Sequence, residues 1–187
     1  MKRATYEDVL NAPENKVAEI LDGELFLSPR PSPRHAVASS ALVGLLGPPY
    51  GLGGRGGPGG WWILAEPEVH FKEEVLVPDI GGWRRERMPA LPDEAFFPLA
   101  PDWVCEVLSP STERIDRSRK LRIYGEMGVA HVWLVNPLER TLEVLQLNEG
   151  AWVIVTVLAG TEAVRVEPFE AIELDLAALW TDPPPSP

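Results

Sequence analysis

The sequence predicts an α+β fold, a mixed β-sheet flanked by helices and extended by β-hairpins. Two observations predict it. Apolar-rich segments recur in the order α, β-hairpin, α, β, β, β, α, β, β-hairpin, so strands follow one another directly before a single helical crossover. Hydrophobic residues make up 45% of the chain and charged residues 24%, a globular balance, and 187 residues are enough to bury one substantial core. Residues 1 to 180 are therefore expected to form a single domain, with 181 to 187, TDPPPSP, as a disordered Pro-rich tail.

Taken in order, Thr5 and Asp8 make a capping pattern for a short helix whose apolar face is Tyr6, Val9 and Leu10. In VAEILDGELFLSP, Asp22-Gly23 separates two apolar-rich runs. A type I′ turn needs positive φ at both central residues, so this pair predicts a hairpin with Glu19 and Glu24 on opposite arms. RPSPR, residues 30 to 34, is a stiff connector, after which His35 opens an apolar helix stopped by Gly47-Pro48-Pro49. Gly51, Gly53 and Gly56 match G-x-G-x-x-G formally. That motif must follow a strand and open a helix, whereas here it follows a helix and precedes a strand, so it reads as a flexible loop.

WWILAEPEVHF and EVLVPDIGGW read as two strands joined by the polar turn Lys72-Glu73-Glu74, and residues 84 to 100 as irregular. WVCEVLS is a short strand in which Glu106 shares a face with Val104 and Leu108, while Trp103, Cys105 and Val107 point the other way. The next helix runs from 113 to 127 and ends at Gly128. HVWLVNP is an apolar strand, and TLEVLQLNEGAWVIVTVL is a second hairpin turning at Asn148-Glu149-Gly150. A strand near 163 to 167 and a helical turn at 174 to 180 close the domain.

No apolar run approaches the ~20 residues of a membrane span. The start, MKRATYEDVL, has acids where a signal peptide has its apolar centre, so a cytoplasmic location is expected. The single cysteine, Cys105, excludes an internal disulfide and a multi-cysteine zinc site, and reads as core. A net charge of −11 argues against broad non-specific binding to nucleic acid. The charge is uneven: residues 80 to 125 are close to neutral and the remainder carries nearly all of the negative excess. Thirteen arginines against four lysines, few amides and many prolines are compatible with a thermophilic source. Hairpins and seven tryptophans suggest a homodimer.

Three residues form the candidate site: Asp79, Glu106 and Lys120. A carboxylate in a buried strand is costly unless something pairs with it, which marks Glu106. Asp79 ends an apolar strand between Pro78 and Ile80-Gly81-Gly82, where the sheet can open. Carboxylates on neighbouring strands suit one hard divalent cation such as Mg²⁺, which takes one or two protein carboxylates and activates water toward a phosphodiester. Asp116, Lys120 and Tyr124 recur every four residues and so share one helical stripe. Asp102 shares a strand face with Glu106, but four residues along a strand span roughly 13 Å, too far for a common ion; it reads as a strand-start residue.

Each candidate also has a plain structural reading. Asp79 is then a turn residue, Glu106 a carboxylate satisfied by an arginine, and Lys120 an exposed partner of Asp116. His35 is a helix-start residue, Glu24 a solvated hairpin charge and Asp116 an N-cap. His35, His70 and His131 are too scattered for a zinc triad.

LDGELFLSPRPSPRH, VPDI, PDWVCEVLSPSTERIDRSRKLRIYGEMGV and HVWLVNPLERTLEVLQL, in that order, resemble the PD-(D/E)XK nuclease superfamily, and within it a large bacterial restriction endonuclease family of uncharacterised biological role. The resemblance implies a restriction-endonuclease-like αβββαβ core, Mg²⁺ or Mn²⁺ as cofactor, and hydrolysis of DNA phosphodiesters. By position, Asp79 and Glu106 correspond to the two motif carboxylates and would hold metal. Leu108 stands where the superfamily name calls for lysine; some members carry the basic group on the following helix, and Lys120 matches that arrangement. Glu24, His35 and Asp116 fall at positions typical of the family and join as supporting residues. A catalytically silent binding or assembly module, or a metal hydrolase of small phosphoesters, fits the same residues.

Overall fold

The computed structural model describes residues 3 to 53 and 55 to 181. Residues 182 to 187 of the expected tail lie outside the described residues. Helix α1 (Tyr6–Leu10) has the expected capping box: the Thr5 N–H donates to Asp8 Oδ2 at 2.7 Å and the Asp8 N–H to the Thr5 carbonyl at 2.8 Å. Strands β1 (Lys16–Leu21) and β2 (Glu24–Pro29) form the predicted hairpin, with φ of 58° at Asp22 and 74° at Gly23.

Helix α2 (Pro33–Leu46) begins two residues before His35, capped by Ser32, whose Oγ accepts the His35 N–H at 3.4 Å. Gly47-Pro48-Pro49 does not stop the helix. The prolines have no N–H to give to an i−4 carbonyl, so the chain widens into a π-turn, Gly47–Gly51, closed by the Leu52 N–H on the Gly47 carbonyl at 2.8 Å.

The two long strands expected between 61 and 83 are each split in two. Strands β3 (Trp61–Ala65) and β6 (Ile80–Arg84) pair in one sheet, while β4 (Val69–Phe71) and β5 (Glu74–Leu76) pair in another. The break falls at Pro67 and Pro78, neither of which can donate to a ladder. One hairpin thus spans two sheets, its distal half in the four-stranded order β2-β1-β5-β4.

The larger sheet has the order β10-β9-β8-β7-β6-β3, built with β7 (Trp103–Val107), β8 (His131–Asn136), β9 (Thr141–Asn148) and β10 (Ala151–Ala159). In this sheet β7 and β8 run parallel, joined by the helical crossover that a parallel pair requires. That crossover is α3 (Glu113–Ile115), a π-turn (Asp116–Lys120) and α4 (Leu121–Met127), ended by Gly128 at φ 76°. The strand expected near 163 to 167 is shortened to β11 (Ala163–Val164), paired with β12 (Leu174–Asp175), and the helical turn expected at 174 to 180 is a 3₁₀ turn (Leu176–Leu179). The αβββαβ core is therefore α2, β3, β6, β7, the crossover helix and β8.

A core lies on each face of the large sheet at β7. Trp103, Cys105, Val107 and Trp133 pack with α2 on one face. Val104, Leu108, Ile123 and Tyr124 pack under α4 on the other, so the alternation read for β7 holds. Among the described residues no helix is long and apolar enough to cross a membrane.

Candidate active site

The candidate residues meet where the two sheets part. Leaving the ladder at Pro78 frees both the Asp79 side chain and the Val77 N–H from strand pairing. Asp79 Oδ2 accepts the N–H of Val107 at 2.7 Å, which fixes it beside Glu106. The Val77 N–H donates to Glu19 Oε1 at 2.8 Å, so a side chain from β1 completes a hydrogen bond the backbone ladder cannot make.

Helical spacing brings the third element in. Asp116, Lys120 and Tyr124 all face the sheet, at 4%, 3% and 0% exposure. The Lys120 ammonium lies 2.7 Å from Glu106 Oε1, 3.0 Å from Glu19 Oε1 and 3.7 Å from Asp116 Oδ1. The Tyr124 hydroxyl donates to Glu106 Oε1 at 2.5 Å. Glu106 is thus satisfied by a lysine and a tyrosine rather than by an arginine, and Lys120 is buried rather than exposed. Asp116 opens the π-turn instead of capping a helix. His35 joins from α2, its Nε2 3.0 Å from Asp79 Oδ1.

Glu24 is not brought in. It stands at the turn end of the hairpin, exposed, with Oε2 2.6 Å from Arg119 Nη1. Glu19, two cross-strand pairs further from the turn, occupies the place instead. Its signal was available, a carboxylate between Ala18 and Ile20 in an apolar strand, the same signal that marked Glu106. Asp102 is structural: it accepts the Arg84 N–H at 2.8 Å and pairs with Arg87 at 2.7 Å.

The electrostatics follow from burial. Lys120 would lose its charge in an apolar interior, but Glu106, Glu19 and Asp116 hold its pKa well above the ordinary lysine value. Burial drives the Glu106 carboxyl well up; Lys120 opposes this, and Asp116, Asp79 and Glu19 reinforce it. Burial also raises Asp116, to about 6, against the pull of Lys120. Burial depresses His35, yet the hydrogen bond and charge of Asp79 leave it raised. Cys105 is fully buried with its thiol pKa driven up, hence inert.

Four carboxylates therefore surround one lysine and one histidine, on the wall of a cavity of about 310 Å³. Among the described residues no three His, Cys, Asp or Glu side chains form a ready-made metal cage. Mg²⁺ does not require one, since it keeps water and substrate oxygens in most positions. Asp79 and Glu106 offer oxygen donors of the kind such an ion takes.

A family model described as Uma2, putative restriction endonuclease, matches residues 3–178. The fold is similar to a crystal structure of a putative nuclease belonging to DUF820 from Anabaena variabilis. The TM-score is 0.71 at 22% identity, over 94% of this chain and 97% of that one. No curated protein matches.

Proposed function

Since the chain belongs to the Uma2 family, we propose that it is a divalent-metal-dependent endonuclease hydrolysing DNA phosphodiester bonds. The observation that carries this reading is the Lys120 ammonium 2.7 Å from Glu106, a cation delivered by the helix where Leu108 leaves the strand without one. Asp79 and Glu106 would hold Mg²⁺ or Mn²⁺, which when bound supplies charge neutralisation and a more acidic water.

The chain's own groups do the rest. Lys120 has three N–H donors; Glu106 and Glu19 engage two, and the third is left for a phosphate oxygen, where it stabilises developing charge. Tyr124 holds the Glu106 carboxylate from behind, and His35 holds Asp79. Glu19 fixes the ammonium by tying it to the β1 hairpin.

The test is incubation of purified protein with Mg²⁺ or Mn²⁺ and supercoiled, linear and single-stranded DNA. Cleavage that falls about 10²-fold or more in Asp79→Ala and Glu106→Ala supports the site; undiminished cleavage by either variant removes it. The three carboxylates gathered around Lys120 favour a second reading, a silent binding module. For that reading, calorimetry shows no Mg²⁺ binding dependent on Asp79 and Glu106.

A homodimer belongs to the same proposal. What supports it is β10, the edge strand of the large sheet, which carries no charged residue and exposes Val153, Ile154, Val155 and Val157. Sedimentation giving a monomer at all concentrations excludes it.

A further inference from the structure

We infer that the site takes an unpaired strand of DNA in preference to intact duplex. This rests on the nuclease reading and concerns its substrate.

The first observation is depth. Glu19, Glu106, Asp116 and Lys120 are each no more than 5% exposed. A reacting phosphate must therefore descend to them, because the site does not rise to meet the outside of a rod. The cavity that leads down, about 310 Å³, lies at the small end of ligand pockets, the scale of one nucleotide unit. Its walls come from both sides: Phe26, Ser28 and Ser32 from the β2–α2 segment, and Ser109, Ser111 and Thr112 from the loop after β7. A nucleotide entering between these walls has to leave its stack. That cost is least when the base is already unpaired.

The second observation is charge. Duplex affinity grows with the number of phosphates neutralised by Lys and Arg. The net charge is −11, and three of the four arginines on the crossover helix beside the cavity are already engaged. Arg117 pairs with Glu113 and Glu143, Arg119 with Glu24, and Arg122 with Asp22 and Glu126. Among the described residues Arg30 in the cavity wall, Arg34 on α2 and Arg114 have no carboxylate partner, a small set of cations that suits a short strand better than a long phosphate track.

The third is a stacking surface. Phe26 is half-buried in the cavity wall, with the Arg119 guanidinium 4.9 Å from its ring centroid. An aromatic ring with a neighbouring guanidinium is the platform on which unpaired bases stack without sequence preference.

The experiment is fluorescence anisotropy of labelled single-stranded DNA, and of the same sequence as a duplex closed by loops at both ends, with the full chain in EDTA. The single strand is expected to bind about tenfold tighter or more. Phe26→Leu keeps the apolar packing but removes the ring, and is expected to weaken single-strand binding about fivefold or more, the low end for one stacked base. Equal or tighter binding of the closed duplex, no binding of either, or Phe26→Leu without effect overturns the inference. Strand-selective binding without metal-dependent cleavage leaves the inference standing and removes the nuclease reading. Metal-dependent cleavage of closed duplex with no strand preference does the reverse.

Discussion

At the scale of the residue, one ammonium balances the carboxylates of Glu19, Glu106 and Asp116, and the variants that follow are unequal. Lys120→Met leaves buried carboxylates without their cation and is expected to cost about 3–5 kcal/mol, read from a urea midpoint. Asp116→Asn removes a carboxylate from a site with an excess of them. Burial raises the Asp116 carboxyl from 3.8 to about 6, so between those values the folded chain holds a proton that the unfolded chain has released. Stability contributed through Asp116 therefore falls as pH rises across that window, by up to about 3 kcal/mol, and is flat above it. Asp116→Asn should gain on the wild type as pH rises from about 4 to about 7. A constant difference across that range refutes the assignment. Glu106 was legible because a charge stood on an apolar face, and Lys120 because it shares a helical stripe with Asp116 and Tyr124 and matches the basic group that the family resemblance places on that helix. Glu19 was overlooked because Glu24, its neighbour across the turn, drew attention by position alone.

At the scale of the element, the site depends on a strand that changes sheets. Gly81 lies just past the break, where an added Cβ would sit 2.8 Å from Pro67 Cγ and 2.9 Å from the Trp83 ring. Gly81→Ala is expected to cost about 1–3 kcal/mol through overpacking and to lower cleavage by shifting Asp79. Unchanged stability means that the approach is not needed. The hairpin turns, Gly128 and the crossover helix were readable because local chemistry dictates them. The split of the strands was not. Pro67 and Pro78 mark where a ladder must end, but only the meeting with β1 decides that the distal half continues in another sheet. The π-turns were likewise hidden, since their cause lies in missing N–H donors and inward-facing side chains rather than in periodicity.

At the scale of the whole molecule, order of elements was sufficient to anticipate an α+β fold with a mixed sheet flanked by helices, because parallel β7 and β8 need a helical crossover and antiparallel hairpins do not; the αβββαβ core was anticipated from the family resemblance. Which distant segments line the cavity was not legible; β1, β2, α2, β7 and the crossover converge only through the fork between sheets. A cation bound by the folded chain alone must stabilise it, by about 2.7 kcal/mol at a hundredfold excess over Kd. Mg²⁺ or Mn²⁺ should raise the melting temperature of the wild type and not that of the Asp79→Asn, Glu106→Gln double variant. The most direct test is the single-turnover rate of DNA cleavage in Mg²⁺ by wild type and Glu106→Gln, each shown to be folded by circular dichroism. Metal-dependent cleavage by the wild type, reduced about 10²-fold or more in Glu106→Gln, is the expected result. A wild type that cuts nothing, or a Glu106→Gln variant that cuts as fast, contradicts it.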